Sequence, residues 1–114
     1  MDDPTRLTDA QWAALAPLMP KPAPTGRPRT DDRRCFDAVL HVLFTGCRWA
    51  DLPAAAYGVD SKAAQRRLRD WQERGVWTVL WGAFLRTLDA PGRRAWTRAF
   101  LAGAFVPYKR NARS

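Results

Sequence analysis

The stretch SKAAQRRLRDWQERG constrains the fold more than any other part of this sequence, because its apolar residues repeat at the period of an α-helix. Ala64, Leu68 and Trp71 are spaced at i, i+4 and i+7, so they share one face. Its first residue, Ser61, is predicted to cap the helix, since a hydroxyl can accept an unpaired backbone N–H. Its last residue, Gly75, is predicted to end the helix in the left-handed conformation. Other apolar elements must then cover the buried face.

A second stripe on the same helix is polar and basic. Lys62, Gln65, Arg66 and Arg69 follow one another at i, i+3, i+4 and i+7, away from the apolar face. These residue types contact base edges and phosphates when a helix lies in the major groove of DNA. We therefore interpret the stripe as a surface for double-stranded DNA. The alternative is a charged face that contacts solvent alone.

The charge of the whole chain favours a polyanionic partner. Its 114 residues suit a single domain and carry a formal net charge of +8. Such a charge attracts polyanions by electrostatic steering and by counterion release. A membrane surface is the competing polyanion, but the longest nearly apolar run, residues 76–85, is shorter than the roughly 20 residues of a spanning helix. We therefore predict DNA and no membrane as the partner.

Cysteine and histidine are too sparse for a metal site. Cys35 and Cys47 lack a CxxC or Cys/His spacing, and His41 is the single histidine. We predict no metal, no cofactor and no small-molecule substrate.

The acidic, polar start MDDPTRLTD does not resemble a signal peptide, and reduced cysteines suit the cytoplasm. The expected location is therefore the cytoplasm, in association with the nucleoid.

Local signals predict two helices before the basic one. Thr8 and Gln11 form the T-x-x-Q pair of a capping box, and a helix follows to about Met19. Thr30 is predicted to cap a second helix over residues 33–45, whose wide apolar face belongs in the core. Both helices are expected to support the basic helix.

The segment between the second helix and the basic helix is short. Residues 48–53 predict a helical turn that ends at proline, and residues 54–60 predict a loop. Helix, short turn and basic helix is the order found in helix-turn-helix DNA-binding proteins, whose last helix enters the major groove. This linking segment is longer than the turn in the most compact helix-turn-helix proteins. A winged or extended variant of the motif is therefore an alternative.

The C-terminal part contains a further apolar helix, predicted over residues 76–88, that closes the core. Residues 89–92 predict a turn and residues 93–99 a short helix, while the apolar run 100–106 leaves open one vestigial β-strand. The predicted fold class is therefore all-α: a small helical bundle that contains a helix-turn-helix-like unit.

A proline-rich basic linker, residues 20–29, interrupts the predicted helices. Its sequence PKPAPTGRPR cannot hold a helix and is expected to be extended. A Gly-Arg-Pro core suits a narrow A·T minor groove, so Arg27 and Arg29 are predicted to enter that groove or contact phosphates. A stiff linker with solvated charge is the alternative.

Several motifs together resemble the N-terminal region of insertion-sequence transposases of the IS-five kind. They come in chain order: LTDAQW at 7–12, GRPR at 26–29, DDRR at 31–34, TGCRW at 45–49 followed by DLP at 51–53, RLRDW at 67–71 and ERGVW at 73–77. In that family this region is a helical DNA-binding domain that recognises the ends of the mobile element. A ribonuclease-H-like catalytic core follows it and uses three carboxylates to hold divalent metal.

The resemblance implies that catalysis is missing here. The family's core opens with a pattern like LDGSFV, and residues 101–106 read LAGAFV, so Ala102 stands where the first catalytic Asp is expected. Metal-assisted phosphoryl transfer needs such carboxylates, and no acidic residue follows Asp89. The resemblance therefore implies a DNA-binding domain at residues 1–92 and, at residues 93–114, a remnant of the start of the core with a basic tail.

We predict three groups of DNA contacts. Groove-facing residues are Lys62, Gln65, Arg66 and Arg69; minor-groove or phosphate contacts are Arg27 and Arg29; backbone clamps are Arg33, Arg34, Arg67 and Arg74. A protein of this kind is expected to occupy element ends and repress transposition, or to regulate transcription.

Two other functions are weighed against DNA binding. One is a protein–protein or dimerisation module that docks on a transposase or another host protein, with Trp81 and Trp96 as exposed anchors among six tryptophans. The other is an enzyme whose catalytic core is brought by a second chain, although Ala102 leaves that metal site short of a ligand.

Overall fold

The computed structural model describes residues 3–20 and 31–101. Over these residues the chain is all-α and contains no β-strand, which confirms the predicted fold class. The helices are α1 Asp9–Leu15, α2 Asp32–Thr45, α3 Ala54–Tyr57, α4 Ser61–Glu73, α5 Trp77–Arg86 and α6 Ala90–Leu101. Single 3₁₀ turns follow α1 at Ala16–Leu18 and precede α3 at Trp49–Asp51.

Helices α1, α2, α4 and α6 begin at side-chain caps, though not always at the predicted residue. The capping box of α1 is confirmed, since Gln11 N–H donates to Thr8 Oγ1 over 3.1 Å and Thr8 N–H donates to Gln11 Oε1 over 2.9 Å. The predicted cap Ser61 is wrong, because Asp60 caps α4 and accepts from the N–H groups of Lys62 and Ala63. A carboxylate there accepts both bonds and also suits the positive end of the helix.

The cap of α2 is Asp31, whose carboxylate accepts from Arg33 N–H over 2.8 Å. The predicted cap Thr30 lies outside the described residues. At the other end of α4, Gly75 has a φ of 77°, as predicted. Gly75 N–H donates to Gln72 O and Val76 N–H to Trp71 O, the two bonds of a Schellman motif. This motif ends α4 and turns the chain into α5.

The core is centred on α2, which packs against α3, α4 and α6. Phe36 lies at the middle of the aromatic contacts, with ring centroids 5.9 Å from Trp71, 5.7 Å from Trp77 and 5.9 Å from Phe84. Such tilted aromatic pairs add to the free energy gained by burial. The helices α2, α4 and α5 are therefore held to one another by large rings.

Two predicted non-helical segments contain helix. Within residues 54–60, predicted as a loop, Ala54–Tyr57 forms α3. Within residues 89–92, predicted as a turn, α6 has already begun at Ala90, because the Asp89 carboxylate accepts from Gly92 N–H over 2.8 Å. Asp, Pro and Gly serve turns as well as helix starts, so composition did not separate the two.

The vestigial strand is wrong where it can be compared with the structure. Phe100 and Leu101 belong to α6, and the rest of the run 100–106, which includes Ala102, lies outside the described residues.

Helix α6 also crosses residue 92, the predicted boundary between the DNA-binding domain and the core remnant. Trp96, from the remnant side, is buried in the same core as α2 and α5.

The tryptophans pack inward instead of forming a surplus patch. Trp96, predicted as an exposed anchor, is 2% exposed and makes an edge contact with Phe44, at a centroid distance of 4.8 Å. Trp81, the other predicted anchor, is half-buried and stacks between Trp77 and Phe84. The prediction that both tryptophans are exposed anchors is therefore wrong, and with it the main argument for a docking module.

The N-terminal segment is fixed to α2 and α3 by polar contacts. Thr5 Oγ1 donates to Asp3 Oδ1 over 2.7 Å and lies 2.7 Å from the Tyr57 hydroxyl, which lies 2.9 Å from His41 Nδ1. Because the Thr5 proton is used on an acceptor-only carboxylate, Tyr57 must donate to Thr5 and His41 Nδ1–H must donate to Tyr57. The hydrogen bonds therefore run in one direction, from His41 to Asp3.

Candidate nucleic-acid interface

The rotation of α4 about its axis is fixed by what it buries. Ala64, Leu68 and Trp71 are in the core, with Trp71 fully buried against Phe36. At 3.6 residues per turn, the opposite side of the helix must then face outward. The predicted apolar stripe is confirmed, and the predicted basic stripe can be placed relative to it.

The outward side of α4 presents three of the four predicted groove-facing side chains. Lys62, Arg66 and Arg69 are exposed, and Gln65 is half-buried at the edge of the stripe. Among the described residues, neither Arg66 nor Arg69 has an ion-pair or hydrogen-bond partner. Neither guanidinium group therefore forms an ion pair with a carboxylate in the described part of the chain, and both are available to an anion.

Arg67 lies on the flank of α4 and not on the outward stripe. Its guanidinium forms an ion pair with Asp32 at the start of α2, and the side chains of Arg67 and Asp32 are 13% and 17% exposed. A covered pair of this kind fixes the position of α4 against α2, and its charge is neutralised within the fold. Arg67 thus helps to position α4 and is not itself part of the exposed basic stripe.

The other predicted backbone clamps differ in how free they are. Arg33 is half-buried, donates to Leu7 O over 2.8 Å and forms an ion pair with Asp9 at 3.0 Å. Arg74 pairs with Asp70 at 2.9 Å, but both side chains are well exposed, so the pair contributes little. Arg34 is exposed and has no ion-pair partner among the described residues. Arg34 and Arg74 are therefore the accessible members of this group.

The minor-groove residues Arg27 and Arg29 lie outside the described residues, so their role stays a prediction.

An acidic residue limits the basic stripe at the C-terminal end of α4: Glu73 is exposed and follows Arg69 by four residues. The positive part of the outward face is therefore its first three turns. The sequence alone already places Glu73 on the basic stripe, because it follows Arg69 at i+4.

Sequence reasoning missed a second set of cations on α6. Arg93, Arg94 and Arg98 are all exposed, and helix α6 contains no acidic residue. The signal was present as a run of arginine without Asp or Glu after Asp89. The family resemblance places this run in the remnant of the catalytic core, which gives no reason to expect a binding surface there.

The described part of the chain offers no site for a resident metal. No group of three or more His, Cys, Asp or Glu side chains in residues 3–20 and 31–101 could hold an ion. In the same residues, no helix is long and apolar enough to cross a membrane.

These observations define a class: a small helical domain whose basic helix α4 is held outward by an aromatic core. The chain belongs to the family described as "Putative transposase of IS4/5 family (DUF4096)", whose model matches residues 7–81. The resemblance to insertion-sequence transposases is thereby confirmed. The matched residues include α1 to α4 and the first part of α5.

Two bacterial proteins are similar to the chain. The "Insertion element IS402 uncharacterized 16.2 kDa protein" of Burkholderia cepacia is 38% identical over 98 residues, which cover 82% of this chain and 67% of that protein. "Uncharacterized protein y4sN" of Sinorhizobium fredii (strain NBRC 101917 / NGR234) is 34% identical over 84 residues, which cover 73% of this chain and 66% of that protein. The chain therefore spans about two thirds of each relative. No solved structure matches it.

Proposed function

We propose that this protein binds double-stranded DNA with the outward face of α4 in the major groove. The observation that carries the proposal is the exposure of Lys62, Arg66 and Arg69 without internal partners, on a helix whose other side is locked into the core. A pre-positioned cationic helix face loses little conformational freedom when it meets a polyanion.

The supporting elements suit a helix-turn-helix-like unit. Helix α2 lies against α4, and the 3₁₀ turn Trp49–Asp51 together with α3 links them. In such units the last helix contacts bases with its N-terminal residues, which here include Lys62, Gln65 and Arg66. The ion pair between Arg67 and Asp32 holds α4 in this position.

The family relation supports the ends of an insertion element as the DNA that is bound. One relative is itself named as a protein of an insertion element. With Ala102 at the position of the first catalytic Asp, we propose that binding occurs without strand cleavage. A protein that occupies element ends in this way would repress transposition or regulate transcription nearby.

The test is a fluorescence-polarisation titration of a labelled duplex that carries the inverted repeats flanking the gene. Arg66→Ala with Arg69→Ala should weaken binding by about 2–6 kcal/mol in total, at about 1–3 kcal/mol for each good base contact. Preference over an unrelated duplex should fall as well. Both side chains are exposed, so the circular dichroism spectrum should not change.

A matched control removes the same charge elsewhere. Arg48→Ala with Arg86→Ala deletes two exposed arginines outside α4, and should lower affinity slightly and equally for both duplexes. The proposal is wrong if the α4 variant and the control variant bind both duplexes alike.

A further inference from the structure

Helix α6 carries charge that its own stability does not explain. Arg94 and Arg98 are four residues apart, so their like charges repel across one turn. Arg93 and Arg94 lie near the positive end of the helix, where a cation gains nothing from the helix dipole. Arg98 alone, in the last turn, is placed favourably for the dipole.

The protein itself does not neutralise these arginines. Among the described residues, Arg93, Arg94 and Arg98 have neither an ion pair nor a hydrogen bond from their guanidinium groups. Their nearest acidic neighbour along the chain, Asp89, already accepts from Gly92 N–H at the start of the helix. All the charged residues of α6 are therefore cations, unlike those of α4, which also carries Asp70 and Glu73.

The buried side of α6 orients this face outward. Trp96 and Ala99 are buried, and Arg94 and Arg98 each lie two residues from Trp96, close to the opposite side of the helix. Trp96 contacts Phe44 at the end of α2, whereas Trp71 of α4 contacts Phe36. Both basic helices thus rest on α2, at points roughly 12 Å apart along its axis.

We propose that α6 is a second DNA-binding surface, which contacts the phosphate backbone of the same duplex that α4 occupies. This inference rests on the proposed function. Because α4 occupies the major groove in the proposed complex, the guanidinium groups of α6 meet phosphate oxygens, contacts that position the protein and carry no sequence information. Helix α6 adds affinity for any sequence, and α4 provides the preference for one.

The test compares Arg94→Gln with Arg98→Gln against the control Arg48→Gln with Arg86→Gln, both of which lower the net charge by the same amount. Salt titrations are made on the inverted-repeat duplex and on an unrelated duplex of equal length. Loss of two phosphate contacts should reduce the slope of log K against log salt by about 1.8. Affinity should fall by the same factor, at least tenfold, on both duplexes, and the preference should stay unchanged.

The outcomes separate this inference from the proposed function. If the α6 variant behaves like the control while Arg66→Ala with Arg69→Ala still abolishes the preference, α6 is not a DNA surface and the role of α4 stands. If the α6 variant loses the preference for the inverted-repeat duplex, α6 contacts bases and the assignment to phosphates is wrong. If the unaltered protein binds neither duplex, both proposals fail.

Discussion

At the scale of single residues, internal pairing determines which arginines face outward. Arg67 and Arg74 both follow the sequence pattern of a helix surface, yet Arg67 is covered by its pair with Asp32 and Arg74 is not covered by its pair with Asp70. Asp32 comes from another helix, so helical spacing could not reveal this difference. The sequence predicted which side of α4 is basic, but it could not show which cations the fold neutralises.

A second residue, His41, makes the stability of the fold depend on pH. Burial lowers its pKa below the ordinary value, Asp3 acts in the opposite direction, and Arg6 adds to the lowering. The unfolded chain therefore binds a proton more readily than the folded chain. The stabilising contribution is complete above the ordinary pKa of 6.5 and is lost as the pH falls toward the pKa of the folded state.

We expect the melting temperature to fall between pH 7.5 and pH 5, over the range in which histidine titrates. His41→Asn places an amide N–H close to the position of Nδ1 and should keep the bond to the Tyr57 hydroxyl. In that variant the melting temperature should change much less over the same range. The melting temperatures are measured by circular dichroism. If they depend equally on pH in the unaltered protein and in the variant, groups other than His41 cause the dependence.

At the scale of secondary-structure elements, the sequence was most informative where one residue type has one structural use. The capping box of α1 and the left-handed glycine after α4 were predicted correctly, because few other conformations use those signals. The start of α6 and the presence of α3 were missed, since Asp, Pro and Gly are common to turns and helix starts.

The glycine that ends α4 permits a test of backbone conformation alone. Gly75 has a φ of 77°, and a Cβ added there would meet nothing within 4 Å. Gly75→Ala should therefore lower the free energy of unfolding by about 1–2 kcal/mol through left-handed strain without any clash. Urea denaturation followed by tryptophan fluorescence measures the change.

Gly82, in the interior of α5, is the matched control. Its added Cβ would lie 3.5 Å from the flexible end of Arg86, and alanine favours a helix. Gly82→Ala should therefore raise the free energy of unfolding by roughly 0.5–1 kcal/mol. If Gly75→Ala leaves the free energy of unfolding unchanged or raises it, as Gly82→Ala should, the Schellman motif does not end α4 as described.

At the scale of the whole molecule, the net charge of +8 is distributed unevenly. Arg67 is paired with Asp32 in a covered position, so this cation contributes less to an external field. The outward faces of α4 and α6 keep arginines without internal partners among the described residues. Composition predicted a polyanionic partner, but the location of the accessible charge required the packing of both helices on α2.

This distribution sets the expected salt dependence of DNA binding. If α4 and α6 together neutralise five to six phosphates, log K should fall against log salt with a slope of about −5, since each phosphate contributes about −0.9. Contact through α4 alone would give a slope of about −3, because Lys62, Arg66 and Arg69 are then the main cations. Polarisation titrations between 50 and 300 mM NaCl distinguish these values, and a slope near zero would contradict DNA binding through either helix.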